Sequence, residues 1–295
     1  MEVWAHDRWK IPLPAGHRFP ADKYRLLRER VQDSVTVLES EAVPWEWLAA
    51  VHEAPLLERI RTGTMSLREQ RGLGLPWSEV LVERGRRSVG GTVAAARRAL
   101  EHRIGMNLGG GTHHAGRDFA RGYCLFNDVV VTLEQLRAEG FVRRALVVDC
   151  DVHQGDGTAQ LLGPDPDAFC LSLHGARNYP FERIPSDLDV DLASGTGDDE
   201  YLRVLSESLD VAIPAARPEI AFFLAGADPW EGDRLGRLAL SKDGLRARDE
   251  LVLDRLLDTG AAVVVVLAGG YAPDVADTVD INAATVAAVA ARDTA

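Results

Sequence analysis

Cysteine, basic charge and long apolar runs are all scarce in this chain, and each shortage excludes something. The three cysteines, Cys124, Cys150 and Cys170, are an odd number at no framework spacing. A disulfide-stapled fold is therefore excluded, and they read as core thiols of a reducing compartment. Basic residues number 33 against 45 acidic ones, a net charge of −12. A dedicated binder of nucleic acid or of an anionic membrane needs a positive footprint, so the balance argues against both. It leaves a cationic substrate open and mildly favours one. No apolar run approaches the roughly 20 residues of a membrane span. The first residues, MEVWAHDRWK, hold no apolar stretch of signal-peptide length. The expectation is a cytoplasmic protein with no direct nucleic-acid and no membrane partner.

What is present is a large apolar content, 46% of 295 residues, enough to bury a sizeable core. No linker, repeat or composition break divides it, so residues 1–295 are expected to form one domain. His6 to Pro20 reads as irregular because of Pro12, Pro14 and Pro20. Helical patterns cover Ala21–Ser34, Ser88–His102, Asn127–Glu139, Asp198–Ala216, Ser241–Thr259 and Asn282–Arg292. Between them lie short apolar runs, Ala145–Val148, Ala168–Leu173, Ile220–Ala225 and Ala261–Ala268, with Arg103–Leu108 a weaker candidate. Their length and β-branched content suit strands buried on both faces. The alternation predicts an α/β layered fold with a parallel sheet and right-handed crossovers.

The polar groups fall where these strands end. The Arg103–Leu108 run leads to GGGTHH with His113 and His114. Ala145–Val148 leads to Asp149, Asp151 and His153. Ile220–Ala225 leads to Asp228, and Ala261–Ala268 leads to GGY with Tyr271. In an open parallel sheet these ends share one rim, where ligands bind. Residues i, i+2 and i+4 of an extended segment share a face, so Asp149, Asp151 and His153 point together while Cys150 and Val152 pack. Side-by-side carboxylates in a low-dielectric site repel unless a cation joins them. A divalent metal on Asp151, His153 and Asp228 resolves that repulsion and leaves a coordination position open, the mark of a catalytic site. Other polar residues have plainer readings. His174 is a satisfied loop or core histidine, and Asp128 a capping or supporting residue. Gly109–Gly111 lacks the phosphate-loop pattern. Arg97-Arg98 and Arg143-Arg144 are solvated faces.

The segments GGGTHHAGRDFARGYCLFND, VVDCDVHQGDGTA, SLHGARNYPF, AGADPWEGDRLGRLALS and LAGGY resemble the zinc-dependent histone deacetylase superfamily. GHRFPADKYRLLRERV, GTGDDEYLRVL and EGDRLGRLALSKDGLRARDELV are most similar to its class IV branch and bacterial relatives. The resemblance implies a single-domain three-layer α/β/α architecture of arginase/deacetylase fold, with a mainly parallel central sheet and the active site at the C-terminal strand ends. It implies zinc, with ferrous iron as the alternative, on Asp151, His153 and Asp228. His113 and His114 would flank the attacking water, with His114 the base and later the acid. Asp149 would orient His113, and Asp156 would orient His114. Tyr271 would donate its hydroxyl to the substrate carbonyl. Gly122 and Tyr123 match one channel wall, and Tyr179 is the candidate for the other. The backbone of Asp149, Asp151 and His153, with Ser172 and Leu173, resembles the family's structural potassium site. Gln154 stands where other branches carry His, and is usual in class IV.

The activity so implied is removal of an acetyl or longer acyl group from a lysine ε-amine in a peptide or protein. The alternative substrate is a small acylated amine such as an acetylpolyamine. Two rivals carry less. A dimanganese ureohydrolase needs a further Asp two residues past His153, where Gly155 stands, and another near Asp228, where Gly226 and Trp230 stand. A non-catalytic module that reads acyl groups would have no use for the intact His, Asp and Tyr set.

Overall fold

The central strands are runs of β-branched and aromatic residues whose successive side chains enter opposite layers. In this computed structural model, which describes residues 1–293, the elements succeed one another as β1 (Glu2–Ala5), α1 (Lys23–Val31), β2 (Thr36–Glu39), α2 (Trp45–Ala49), α3 (Ala54–Thr62), α4 (Leu67–Leu73), α5 (Glu79–His102), β3 (Ile104–Asn107), α6 (Asp128–Ala138), β4 (Ala145–Asp149), α7 (Asp156–Leu162), β5 (Ala168–Gly175), β6 (Leu188–Leu192), α8 (Asp198–Ala216), β7 (Ile220–Leu224), α9 (Lys242–Leu257), β8 (Ala262–Val266) and α10 (Val275–Ala290). The last two positions of the expected 1–295 domain lie outside the described residues. The strands form one sheet in the order β2-β1-β3-β8-β7-β4-β5-β6, and every pairing in it is parallel.

Val147, Phe222, Leu224, Val264 and Val266 pack with α2 to α7 on one face. Their neighbours Leu146, Val148, Phe223, Val263 and Val265 pack with α1, α8, α9 and α10 on the other. The three-layer α/β/α expectation therefore holds, and the sheet is wholly rather than mainly parallel. The registers bring strand ends level: Asp149 pairs with both Ser172 and Leu224, and Val266 pairs with both Leu224 and Asn107. Loops leaving β3, β4, β7 and β8 thus start from one rim.

Several boundaries differ from the sequence expectation. α5 begins nine residues before Ser88, capped by the Ser78 hydroxyl. Its glycines resemble helix breakers locally but are needed for packing: a side chain at Gly90 would collide with the Glu41 carbonyl. α10 begins at Val275, capped by Asp274, well before Asn282. β1, β2 and β6 escaped notice because they are short or carry charges at every second position, as LDVDL does. α2, α3, α4 and α7 are likewise too short to show a clear period. Arg98 is not a solvated residue: it is buried, bonding the Ile104 carbonyl at 2.5 Å and Asp293 at 2.8 Å. All three cysteines are free and buried. Among the described residues, no helix is long and apolar enough to cross a membrane.

His52, between α2 and α3, shows how the outer elements brace the rim. Its Nδ1 donates to the Gly116 carbonyl at 2.8 Å, and its Nε2 accepts from the Asn127 N–H at 3.1 Å. Both bonds require the neutral ring. Burial, opposed by the Gly116 bond and aided by the Arg117 charge, holds its pKa down to about 4. The unfolded chain would protonate His52 near its ordinary value of about 6.5. Its stabilising contribution is therefore complete above that pH and declines as pH falls toward 4, by ~3 kcal/mol at the limit. Urea denaturation between pH 7 and pH 4 should show a pH slope smaller by about one proton in His52→Gln than in the parent. An unchanged slope would remove His52 from the acid response.

Candidate active site

The loop after β3 is shaped by one buried carboxylate. Asp128, at the first position of α6, accepts from the Gly111 N–H (3.1 Å), the Thr112 N–H (2.7 Å), the Thr112 hydroxyl (2.5 Å) and the Thr92 hydroxyl (2.6 Å). Asn127 is the helix cap proper, accepting from the Val130 N–H; its amide donates to the Ala115 carbonyl and the Thr158 hydroxyl. Asp128 is thus the support that sequence reasoning allowed for, and it presents His113 and His114 at the rim. Their rings lie 4.2 Å apart, centre to centre.

Each histidine meets a carboxylate from another segment. His113 Nδ1 is 2.6 Å from Asp149 Oδ2, at the end of β4. His114 Nδ1 is 2.5 Å from Asp156 Oδ1, at the start of α7. Asp156 also pairs with Arg121, whose guanidinium lies over the Phe119 ring. Arg121 was missed in the sequence, where it reads as one more surface cation. Burial opposes a charge on His113, but Asp149 and Asp151 outweigh it and raise its pKa to about 9. Burial and the neighbouring His113 charge lower His114 to about 4, despite Asp156. His114 is therefore neutral at pH 7. Because the Asp156 carboxylate accepts, the ring proton sits on Nδ1 and Nε2 keeps its lone pair.

The metal-ligand candidates also meet. Asp151, His153 and Asp228 are all buried, with ligand atoms within 4.8 Å of one another. His153 Nδ1 faces Asp151 Oδ1 at 2.9 Å and Asp228 Oδ2 at 3.2 Å. The other carboxylate oxygens are held by backbone: Asp151 Oδ2 accepts from the Gly269 N–H (2.7 Å), and Asp228 Oδ1 from the Val152 N–H (2.9 Å). Gly269 must be glycine, since a Cβ there would lie 2.6 Å from Asp151 Oδ2. Burial opposes a charge on His153, yet the adjacent carboxylates of Asp151 and Asp228 raise its pKa to about 10. Burial, then the Asp151 charge, raises Asp228 to about 7. A cation held by Asp151, His153 and Asp228 would replace the proton on His153. Asp228 Oδ2 has no geometrically sound hydrogen bond. Two carboxylates, one imidazole and this unsatisfied oxygen fit a divalent cation with an open coordination position.

Three supports were not legible in the sequence. Arg248 of α9 is fully buried, donating to the carbonyls of Gly226 (2.6 Å) and Cys150 (3.4 Å) beneath the Asp228 and Asp151 loops. Its charge is matched by Asp249 at 2.7 Å, and Asp249 accepts from the Thr285 hydroxyl. Asp233 accepts from the Tyr271 N–H at 2.6 Å. Lys23, buried, donates to the Ala268 and Gly270 carbonyls and lies 5.5 Å from the Tyr271 ring centre. These hold the GGY turn. Burial, then Asp151 and Asp228, keeps the Tyr271 phenol protonated.

A cavity of about 340 Å3 leads from the surface to this cluster, lined by His114, Gly122, Tyr123, His153, Tyr179 and Tyr271 among others. Tyr123 stands 5.8 Å from Tyr271, while Tyr179 stands 5.0 Å from His114, ring centre to ring centre. Gly122 and Tyr123 both have positive φ, 57° and 67°. A Cβ on Gly122 would lie 2.5 Å from the His114 ring. Ser172 faces Asp149 across the β4–β5 ladder, and its hydroxyl lies 2.9 Å from His174 Nδ1. His174 is a core residue and does not join the cluster.

Known proteins share both the sequence and the fold that build this site. The profile of the histone deacetylase domain matches residues 17–287. An uncharacterised protein of Picosynechococcus sp. is 40% identical over 279 residues, covering 93% of both chains. A histone deacetylase-like amidohydrolase of Pseudomonas aeruginosa is 30% identical over 281 residues, covering 88% of this chain and 74% of its own. The crystal structure of the HDA15 HD domain superposes with a TM-score of 0.79 at 21% identity, covering 98% of this chain and 89% of that one; it attests the fold.

The arrangement makes Arg248 a structural cation whose loss leaves Asp249 buried and unpaired. Arg248→Ala should destabilise the protein by ~3–5 kcal/mol in urea denaturation. The double variant Arg248→Ala/Asp249→Ala should lose less than Arg248→Ala alone. A loss under ~1 kcal/mol in the single variant would show that the loops hold without it.

Proposed function

The chain belongs to the histone deacetylase family and is a deacetylase of the hydrolase class, and from that premise we propose that it is a zinc-dependent amidohydrolase removing an acetyl, or a longer acyl, group from a lysine ε-amine. One observation carries the reading: two histidine–carboxylate pairs and a phenol converge on a three-ligand cluster at the foot of a channel whose lining includes Tyr123 and Tyr179. Asp151, His153 and Asp228 would hold the ion, with ferrous iron the alternative. When bound, it supplies Lewis acidity toward the amide carbonyl and toward water.

The chain's own groups do the rest. His114, neutral and with Nε2 free, takes the proton from the attacking water and later delivers it to the leaving amine. Asp156 and Arg121 fix the ring that performs this transfer. His113, paired with Asp149, contributes positive charge and a hydrogen bond beside the reacting carbon. Tyr271 donates to the carbonyl oxygen as negative charge develops there. Tyr123 and Tyr179 keep bulk water from the scissile bond. The products are a free amine and a carboxylate. A structural potassium ion would use the carbonyls of Asp149, Asp151 and His153 with Ser172 and Leu173; the Asp149–Ser172 register supports that placement.

The continuous sheet supports one catalytic domain, and the three free thiols support a cytoplasmic setting. Gln154 donates to Asp189 and the Ile184 carbonyl, a role for the class IV-like residue that needs no titratable side chain. Gly155, Gly226 and Trp230 still leave no carboxylates for a dimanganese centre.

Substitutions at the phenol and at the paired histidines test these roles. Tyr271→Phe should lower kcat about 100- to 1,000-fold with KM and Tm nearly unchanged, because the lost donor acts in the transition state. A parent-like kcat would take Tyr271 out of the reaction. His114→Ala should nearly abolish turnover while metal analysis still finds close to one equivalent per chain, and His113→Ala should be milder. The reverse order would exchange their roles, and two manganese ions per chain would overturn the mononuclear centre.

A further inference from the structure

The channel mouth has a charge opposite to that of the whole chain. The lining of the 340 Å3 cavity includes Arg71, Arg177 and Arg237, and contains neither Asp nor Glu. All three arginines are exposed. Among the described residues, none of them has a carboxylate within 4.0 Å, whereas arginines elsewhere on the surface are commonly paired, as Arg25 is with Glu29 and Arg203 with Glu207. The nearby Asp233 is outnumbered by them, and its oxygens accept from the backbone N–H groups of Leu235, Gly236 and Tyr271 rather than pairing with any of the three.

The three come from separate segments, each fastened to the channel. Arg71 lies near the end of α4, where the Gly72 and Leu73 carbonyls accept from the Gly122 and Tyr123 N–H groups at 3.1 and 2.8 Å. Arg177 lies just beyond β5. Next to it, Asn178 donates to the Leu235 carbonyl at 2.7 Å and so ties this loop to the one bearing Arg237. Beside them Phe181 is 87% exposed, its ring 6.3 Å from that of Tyr179. Positive charge is thus held on more than one side of the entrance, next to an apolar contact.

Resting on the deacylase reading, the geometry points to a specificity: the rim selects acylated lysines embedded in acidic polypeptide segments, and discriminates against basic tails and acylated polyamines. Arginines on several sides match carboxylates flanking the lysine better than one compact anion, which could engage only one of them. A cleft walled by protein strengthens these interactions relative to open water. The bulk charge of −12, which by itself favours a cationic substrate, does not describe the field at the mouth.

The test uses zinc-loaded enzyme and three acetyl-lysine peptides, flanked by Glu/Asp, by Gly/Ser or by Lys/Arg, together with acetylspermidine. We expect kcat/KM about tenfold or more higher for the acidic than for the basic peptide, the gap narrowing as salt rises from about 50 to about 300 mM. Arg71→Glu/Arg177→Glu/Arg237→Glu should close or reverse it. Equal kcat/KM for acidic and basic peptides, or a preference for acetylspermidine, overturns the proposal. Binding of fluorescein-labelled peptides, read by anisotropy, decides independently of turnover. If no peptide is hydrolysed, the deacylase reading fails. The rim assignment then stands only if the acidic peptide binds the parent more tightly than the basic one and loses that advantage in the charge-reversed variant. Should that variant not fold, the single neutralisations Arg71→Gln, Arg177→Gln and Arg237→Gln carry the same comparison.

Discussion

Asp149, Asp151 and Asp228 lie buried together at the ends of two adjacent strands, and most of the surrounding structure answers the repulsion this creates. Three carboxylates at that spacing in a dry crevice would not remain ionised without compensation. His113 and His153 supply positive charge from within the crevice. The backbone N–H groups of Asp151, Val152, His153 and Gly269 supply hydrogen bonds. Arg248 holds the two loops from beneath through their carbonyls, with its own charge matched by Asp249. A cation held by Asp151, His153 and Asp228 would supply that compensation in place of the proton on His153. The residues that suit the chemistry are also those that make the buried charge tolerable.

The wholly parallel sheet is what permits this concentration. Level registers among β3, β8, β7, β4 and β5 bring five loops to one rim, and the β4 end alone contributes Asp149, Asp151, His153 and Asp156. Asp128 and Asn127 hold the histidine loop, while Asp233 and Lys23 hold the tyrosine turn. Such supports fix rotamers and ring orientation, on which proton transfer and hydrogen-bond donation to a developing charge depend. Outside this inner set lies a rim of different character, exposed and cationic, where Arg71, Arg177 and Arg237 meet solvent rather than carboxylates. Chemistry and selection therefore occupy successive depths of one channel, the first rigid and hydrogen-bonded, the second open and electrostatic.

The sequence by itself determined the layered α/β class, the strands β4, β5, β7 and β8, the helices α6, α8 and α9, and the grouping of Asp, His and Tyr at strand ends. All of these are written in short-range periodicity and in the polar residues that succeed each apolar run. It did not reveal the short or charged strands β1, β2 and β6, the first turns of α5 and α10, or the burial of Arg98. There the local pattern is weak, and tertiary packing overrides it. Only the tertiary structure decided the strand order, which sets β8 between β3 and β7, and the supporting roles of Arg121, Asp233 and Arg248. It alone placed three arginines, with no carboxylate partner among the described residues, at one entrance. The reason is range: Arg248 meets the Cys150 carbonyl across 98 positions and Gly269 meets Asp151 across 118, and no local pattern records which distant backbone a buried side chain will satisfy.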